Sequence, residues 1–76
     1  MNERISINPL VCHGKPVIRN TRVLVSNLLS DLAAGESYSQ IIANYPSISE
    51  DDIKAALQFG SELANFDSFS YEGATH

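Results

Sequence analysis

The chain has 76 residues, a formal net charge of −4 and a single cysteine. This length permits one small domain, whose hydrophobic core is only marginally sufficient to fold alone. One thiol excludes an internal disulfide, and one cysteine with two histidines is too few for a structural zinc site. No apolar stretch approaches the roughly 20 residues that a membrane span needs. We therefore expect no metal, no cofactor and no membrane, a reducing cytoplasmic location, and a dimer that supplements the core.

Charge is distributed unevenly along the chain. Residues 1–24 hold four bases and one acid, a net charge of +3, whereas the remainder holds one base and eight acids, a net charge of −7. Such an asymmetry predicts two surfaces that bind different partners. The basic side chains are concentrated in the stretch GKPVIRNTRVLV, which contains Lys15, Arg19 and Arg22.

Residues 1–24 are predicted to form short strands and loops. Apolar and polar residues alternate at the start of this segment, and β-branched residues follow between turn formers. Gly14 permits a positive φ and Pro16 fixes φ near −65°, so these two residues predict a turn. The apolar strand residues lack an evident partner strand, and we expect a dimer interface that covers them: Ile5, Ile7, Val17 and Val23.

The apolar period becomes helical after residue 24. Four apolar residues recur at i, i+3, i+4 and i+7, and they predict a first helix: Val25, Leu28, Leu29 and Leu32. Ser26 is the expected N-cap, and Gly35 is placed to end the helix in a left-handed conformation.

Two further helices carry stronger signals at their ends. Ser37 and Gln40 have the spacing of a capping box, and the helix that they begin must end before Pro46. Ser49 and Asp52 repeat the capping-box spacing at the start of the third helix. The apolar periodicity of this third helix continues to about residue 65.

These elements predict an all-α fold of three helices with a short N-terminal β segment. We divide the chain into an N-terminal β/loop element, a three-helix domain and a flexible acidic-aromatic tail, with the bounds 1–24, 25–65 and 66–76. The four-residue turn between the second and third helices favours a helix-turn-helix arrangement. Base reading by the third helix is disfavoured, because its first turn would face the DNA phosphates with three acids: Glu50, Asp51 and Asp52.

Two segments, PLVCHGKPVIRNTRVLV and LAAGESYSQIIANYPSISEDDIKAAL, resemble the small prokaryotic family catalogued as domain of unknown function 433 (DUF433). The resemblance covers residues 5 to about 60. Its most specific parts are Gly14-Lys15-Pro16-x-Ile18-x-x-Thr21-Arg22-x-x-Val25, then Ala34-Gly35, then Tyr45-Pro46. Asn20 departs from the glycine that the family often has, but asparagine also tolerates a left-handed turn.

This family is similar to the antitoxin halves of toxin–antitoxin pairs of the VapBC kind. The resemblance implies a homeodomain-like three-helix fold with an N-terminal β segment, which is commonly dimeric. It also implies a neighbouring gene for a PIN-like ribonuclease toxin. No catalytic residue comes with the resemblance.

The basic stretch is the candidate nucleic-acid-binding surface. Two copies of it, related by a two-fold axis, would present a positive footprint to a phosphate backbone through three side chains: Lys15, Arg19 and Arg22. Arg22 also has a structural interpretation, which we favour, in which its guanidinium holds a carboxylate such as that of Asp31.

The acidic half is the candidate toxin-binding surface, because a ribonuclease must present a cationic groove to RNA. We expect the exposed face of the third helix and aromatic anchors of the tail to contact the toxin: Gln58, Glu62, Phe66, Asp67, Phe69, Tyr71 and Glu72. In the alternative interpretation, the aromatic side chains pack on the three-helix core.

Catalysis is not expected from the adjacent thiol and imidazole of Cys12 and His13. Neighbouring side chains of an extended chain point to opposite faces, and no residue is placed to orient the ring. The function that the resemblance implies is an antitoxin-like module that binds and neutralises a PIN-like ribonuclease toxin, with repression of its own operon as an additional role. The alternatives are a dimeric DNA-binding transcriptional regulator and a plain dimeric interaction domain.

Overall fold

The structure is a computed structural model that describes residues 2–65. It contains three helices and a two-stranded antiparallel sheet. In the sheet, Ile5 pairs with Ile18 and Ser6 pairs with Val17. The elements follow the chain in the order β1 (Ile5–Ser6), a 3-10 turn (Cys12–Gly14), β2 (Val17–Ile18), α1 (Val25–Ala33), α2 (Tyr38–Asn44) and α3 (Glu50–Ala64).

The sheet, rather than a side-chain cap, sets the start of α1. Leu24 is the N-cap and makes no side-chain capping bond, so the prediction of Ser26 as the N-cap is wrong. Leu24 instead forms a β-bridge with Val17, and the Val25 N–H donates to the Pro16 carbonyl at 3.0 Å. The chain therefore passes from the edge of β2 directly into the helix.

Gly35 ends α1 as predicted, with φ of 91°. The Gly35 N–H donates to the Leu32 carbonyl and the Glu36 N–H donates to the Asp31 carbonyl, both at 3.0 Å. This pair of bonds is the Schellman motif, which satisfies two carbonyls that the helix end leaves without partners.

Both predicted capping boxes are confirmed. The Ser37 hydroxyl accepts from the Gln40 N–H and the Gln40 side chain accepts from the Ser37 N–H. Ser49 and Asp52 make the same reciprocal pair of bonds at the start of α3. The helices that follow begin and end within a residue of their predicted bounds.

One core joins the sheet to all three helices. Ile5 and Ile18 of the sheet lie in the same cluster as buried residues of the helices, which include Val25, Leu28, Ile41, Ile53, Ala56 and Phe59. The protein is therefore a small compact domain of three helices with a short two-stranded sheet. The all-α prediction needs correction, because the β segment supplies core residues and is not an appendage to a helical bundle.

Burial changes the interpretation of the apolar strand residues. Ile5 and Val17 were predicted to face a second chain, yet they are only 0% and 2% exposed within a single chain. Val23 is half-buried and packs against the same core. Of the four predicted interface residues, only Ile7, 48% exposed, has an apolar side chain that is open to a partner.

The turn before β2 is left-handed. Cys12, His13 and Gly14 have φ values of 50°, 58° and 80°. The expectation of an extended Cys12-His13 pair is therefore wrong at this position, although Gly14 forms the predicted turn. Within residues 2–65, no helix is both long enough and apolar enough to cross a membrane.

Candidate functional site

A stapled turn presents the basic side chains that follow β2. The Ile18 N–H donates to the Val23 carbonyl at 3.0 Å, and the Thr21 N–H donates back to the Ile18 carbonyl at 3.0 Å. The Thr21 hydroxyl donates to the Ile18 carbonyl at 2.7 Å and accepts from the Val23 N–H at 3.0 Å. Asn20 has φ of 67°, the left-handed conformation predicted for it. Arg22 is thus held on a rigid turn.

Arg19 binds the chain's own backbone. Its Nε donates to the Glu3 carbonyl, and its Nη2 donates to the Ile5 carbonyl at 3.1 Å. The Arg19 backbone N–H donates to the intervening Arg4 carbonyl at 2.8 Å. Arg19 therefore binds three successive carbonyls, those of Glu3, Arg4 and Ile5. This contact gives Arg19 a structural role, and its predicted nucleic-acid contact stays a prediction.

Arg22 and Lys15 remain open on the surface. Both residues are exposed, and the ion pairs of residues 2–65 involve only Arg4 and Lys54 as cations. The interpretation of Arg22 as a partner of Asp31 is therefore wrong for the described chain. The sequence favoured a structural contact for Arg22. In the structure it is Arg19 that binds the backbone, whereas Arg22 is exposed.

A recess of about 370 Å³ lies beside this turn. Its lining combines two arginines with small polar and aliphatic residues from β1, β2 and the loops that flank them: Ser6, Asn8, Val11, Val17, Arg19, Asn20, Thr21 and Arg22. Lys15 is not part of this lining. The predicted site residues did not include Ser6, Asn8 or Val11, because only the pairing of β1 with β2 brings them to Arg22.

The acids at the start of α3 are largely paired. Arg4 Nη1 lies 3.0 Å from Asp52 Oδ1, and Arg4 Nη2 lies 3.8 Å from Asp51 Oδ2. Lys54 Nζ lies 3.5 Å from Glu50 Oε2, one turn away on the same helix. The first turn of α3 is therefore less negative than the sequence suggests, because two cations offset its three carboxylates.

The C-terminal half of α3 forms a second exposed surface. Leu57 and Leu63 are 41% and 58% exposed, and Gln58 and Glu62, which lie one turn apart, are also exposed. We call these four residues the α3 surface. Gln58 also accepts a hydrogen bond from Asn2 Nδ2 at 3.0 Å, which ties this surface to the N-terminal segment.

Part of the predicted toxin-binding set belongs to the tail. Phe66, Asp67, Phe69, Tyr71 and Glu72 lie outside the described residues. Leu57 and Leu63 were absent from the predicted set, although their size and apolar character were the available signal. They fall on a helix that buries Ile53, Ala56 and Phe59 in the core, so only the burial in the structure shows that these two leucines remain outside.

Comparison with known proteins gives the family. Residues 5–60 match the model of the family described as "Protein of unknown function (DUF433)". The chain belongs to the DUF433 family. It is 33% identical over 54 residues to the uncharacterized protein y4eO of Sinorhizobium fredii.

A solved structure supports the same assignment. The crystal structure of a DUF433 member protein from Anabaena variabilis matches with a TM-score of 0.74 and 34% identity, over 80% of this chain and 60% of that one. The match to y4eO covers 71% of this chain but only 24% of y4eO. The chain thus corresponds to part of each of these two longer proteins.

Proposed function

We propose that this protein is an antitoxin-like module that binds and neutralises a PIN-like ribonuclease toxin. The observation that carries the proposal is the α3 surface, which exposes two leucines, an acid and an amide on the longest described helix. A ribonuclease offers a cationic groove to RNA, and an acidic helix with apolar side chains complements such a groove in charge and in anchor chemistry.

The position of the surface supports a role in recognition. All residues from Ser61 to Asn65 are exposed, so the last turn of α3 is not covered by the described part of the domain. Apolar side chains on a rigid helix lose little conformational freedom on binding, which favours their use as anchors. The tail residues would extend the same contact from the end of this helix.

The proposal includes a homeodomain-like arrangement of the helices and a dimer. The three helices pack against one another in pairs, and a short turn joins α2 to α3, which supports the helix-turn-helix interpretation. Ile7 supports a dimer contact, since it is exposed next to β1.

The experiment is neutralisation of the PIN-like ribonuclease encoded beside the gene. Leu63→Ser should weaken toxin binding by about tenfold, because it removes an apolar contact that the complex would bury. Leu10→Ser is the matched control, since Leu10 is 89% exposed on the N-terminal element and lies outside the α3 surface. Equal neutralisation by both variants and the parent chain would contradict the role of the α3 surface.

A dimeric DNA-binding regulator is the second candidate function. Lys15 and Arg22 favour it, because both are exposed and neither forms an ion pair within residues 2–65. Each phosphate contact contributes about 0.9 to the slope of log affinity against log salt. One substitution removes two side chains from a dimer, so Lys15→Ala and Arg22→Ala should each flatten that slope for the upstream duplex by about 1.8.

Gel shifts with the upstream duplex at two salt concentrations measure this slope, and they also separate a third possibility. A protein that neither forms a salt-sensitive complex with DNA nor copurifies with a ribonuclease from native lysate would be a plain dimeric interaction domain. Arg19→Ala is unsuitable as a probe of DNA contact, because the structure gives this side chain a role in the fold.

A further inference from the structure

The recess beside Arg22 has the features of a ligand site that neither candidate function requires. Its volume of about 370 Å³ lies within the range of roughly 300–1,000 Å³ that is typical of small-molecule sites. It is built by β1, β2 and a turn stapled by Thr21, so its shape does not depend on one mobile loop.

The recess is positively charged. Arg19 and Arg22 both line it, the lining contains no carboxylate, and neither arginine forms an ion pair within residues 2–65. Arg19 uses two of its donor groups on the carbonyls of Glu3 and Ile5, which leaves other N–H groups of its fork for a ligand. The Arg22 guanidinium forms no hydrogen bond or ion pair within residues 2–65, so its donors are open to a ligand there.

Neutral donors complete the lining. Asn8 Oδ1 accepts from the Leu10 N–H at 2.9 Å, which fixes the side chain and leaves the amide NH₂ free to donate. Ser6 and Asn20 add further polar groups, while Val11 and Val17 provide an aliphatic wall. The ligand that fits is a compact dianion that accepts hydrogen bonds on several sides and carries a small apolar or ring moiety.

We propose that this recess binds a phosphate monoester, such as the terminal phosphate of a mononucleotide. A phosphate monoester carries a charge of about −1.5 to −2 near neutral pH, which matches the two guanidinium groups. Arginine forks bind phosphate oxygens in a bidentate manner. A phosphodiester of duplex DNA carries one charge and lies on a convex backbone, so it matches a concave, doubly positive recess less well.

The test uses the full chain and two probes, inorganic phosphate and AMP. Binding of each probe is measured from the changes in the amide chemical shifts. Both probes should shift the resonances of Ser6, Asn8, Asn20 and Arg22 in a saturable way. Arg22→Gln should weaken binding by about tenfold or more, since it removes a charge-assisted pair. Lys15→Gln is the matched control, because it removes an exposed positive charge that does not line the recess, and it should change the affinity less than about twofold.

A second variant tests the recess without removing a cation. Asn8→Asp keeps an oxygen that accepts from the Leu10 N–H, but it places a negative charge in the lining. AMP binding should fall by about tenfold or more in this variant, with unchanged circular dichroism and melting temperature. Equal losses in Arg22→Gln and Lys15→Gln would overturn the proposal in favour of diffuse attraction. The proposal would also be overturned if AMP and phosphate fail to bind at millimolar concentration, or if only a short DNA duplex shifts these resonances in a saturable way.

Discussion

Arg4 connects the N-terminal segment to the third helix, because its Nη1 lies 3.0 Å from Asp52 Oδ1. The Asp52 side chain is only 13% exposed and its other oxygen accepts from the Ser49 N–H at 2.9 Å. One carboxylate thus completes the capping box of α3 and receives the cation of a segment almost fifty residues away in sequence. The third helix begins where the β segment docks.

Removal of Arg4 should therefore destabilise the domain. We expect Arg4→Ala to lower the free energy of unfolding by about 1 kcal/mol, the usual contribution of a hydrogen bond in a partly exposed pair. Denaturant unfolding measures the change. Lys54→Ala is the control, since its pair with Glu50 is exposed on both sides and should contribute less than about 0.5 kcal/mol. Equal effects would show that the Arg4 contact has no special role.

Arg19 and Arg22 should respond differently to the same substitution. Arg19→Ala removes the donors that bind the carbonyls of Glu3 and Ile5, and we expect a loss of about 1 kcal/mol of stability. Arg22→Ala removes an exposed side chain with no ion pair in residues 2–65, and the change should stay within about 0.5 kcal/mol. Thermal unfolding of both variants decides between these roles, and a larger loss in Arg22→Ala would refute the assignment.

Ile7 provides the test of the proposed dimer. Deletion of residues 1–8 is a poor probe, because it removes Ile5 from the core. Ile7→Ser should instead shift the mass measured by light scattering from dimer to monomer while the melting of the protomer is preserved. Leu10→Ser is the matched control at a more exposed position. A mass of 8.3 kDa for the parent chain at micromolar concentration would contradict a dimer altogether.

Truncation after Asn65 tests the tail. All elements of the described domain lie before this residue, and α3 ends at Ala64 with Asn65 as its C-cap. We expect the shortened chain to keep its helix content and melting temperature, measured by circular dichroism, but to lose inhibition of the proposed PIN-like ribonuclease toxin. Unfolding of the truncated chain, or neutralisation at full strength, would reject the assignment of the tail to the toxin.

Sequence alone determined the elements whose signals are local. The capping boxes at Ser37 and Ser49 were predictable, because their donors and acceptors lie three residues apart and meet in any helix that starts there. Gly35 and Asn20 were predictable for a similar reason, since few residues tolerate the left-handed conformation at a turn.

Only the tertiary structure decided which residues face the core, a partner or solvent. The pattern of β-branched residues predicted strands, but the burial of Ile5 and Val17 depends on helices that are distant in sequence. Arg19 and Arg22 have the same chemistry and lie three residues apart, so no local signal separates them. Their roles differ because the pairing of β1 with β2 brings the carbonyls of Glu3 and Ile5 to Arg19 and opens a recess at Arg22.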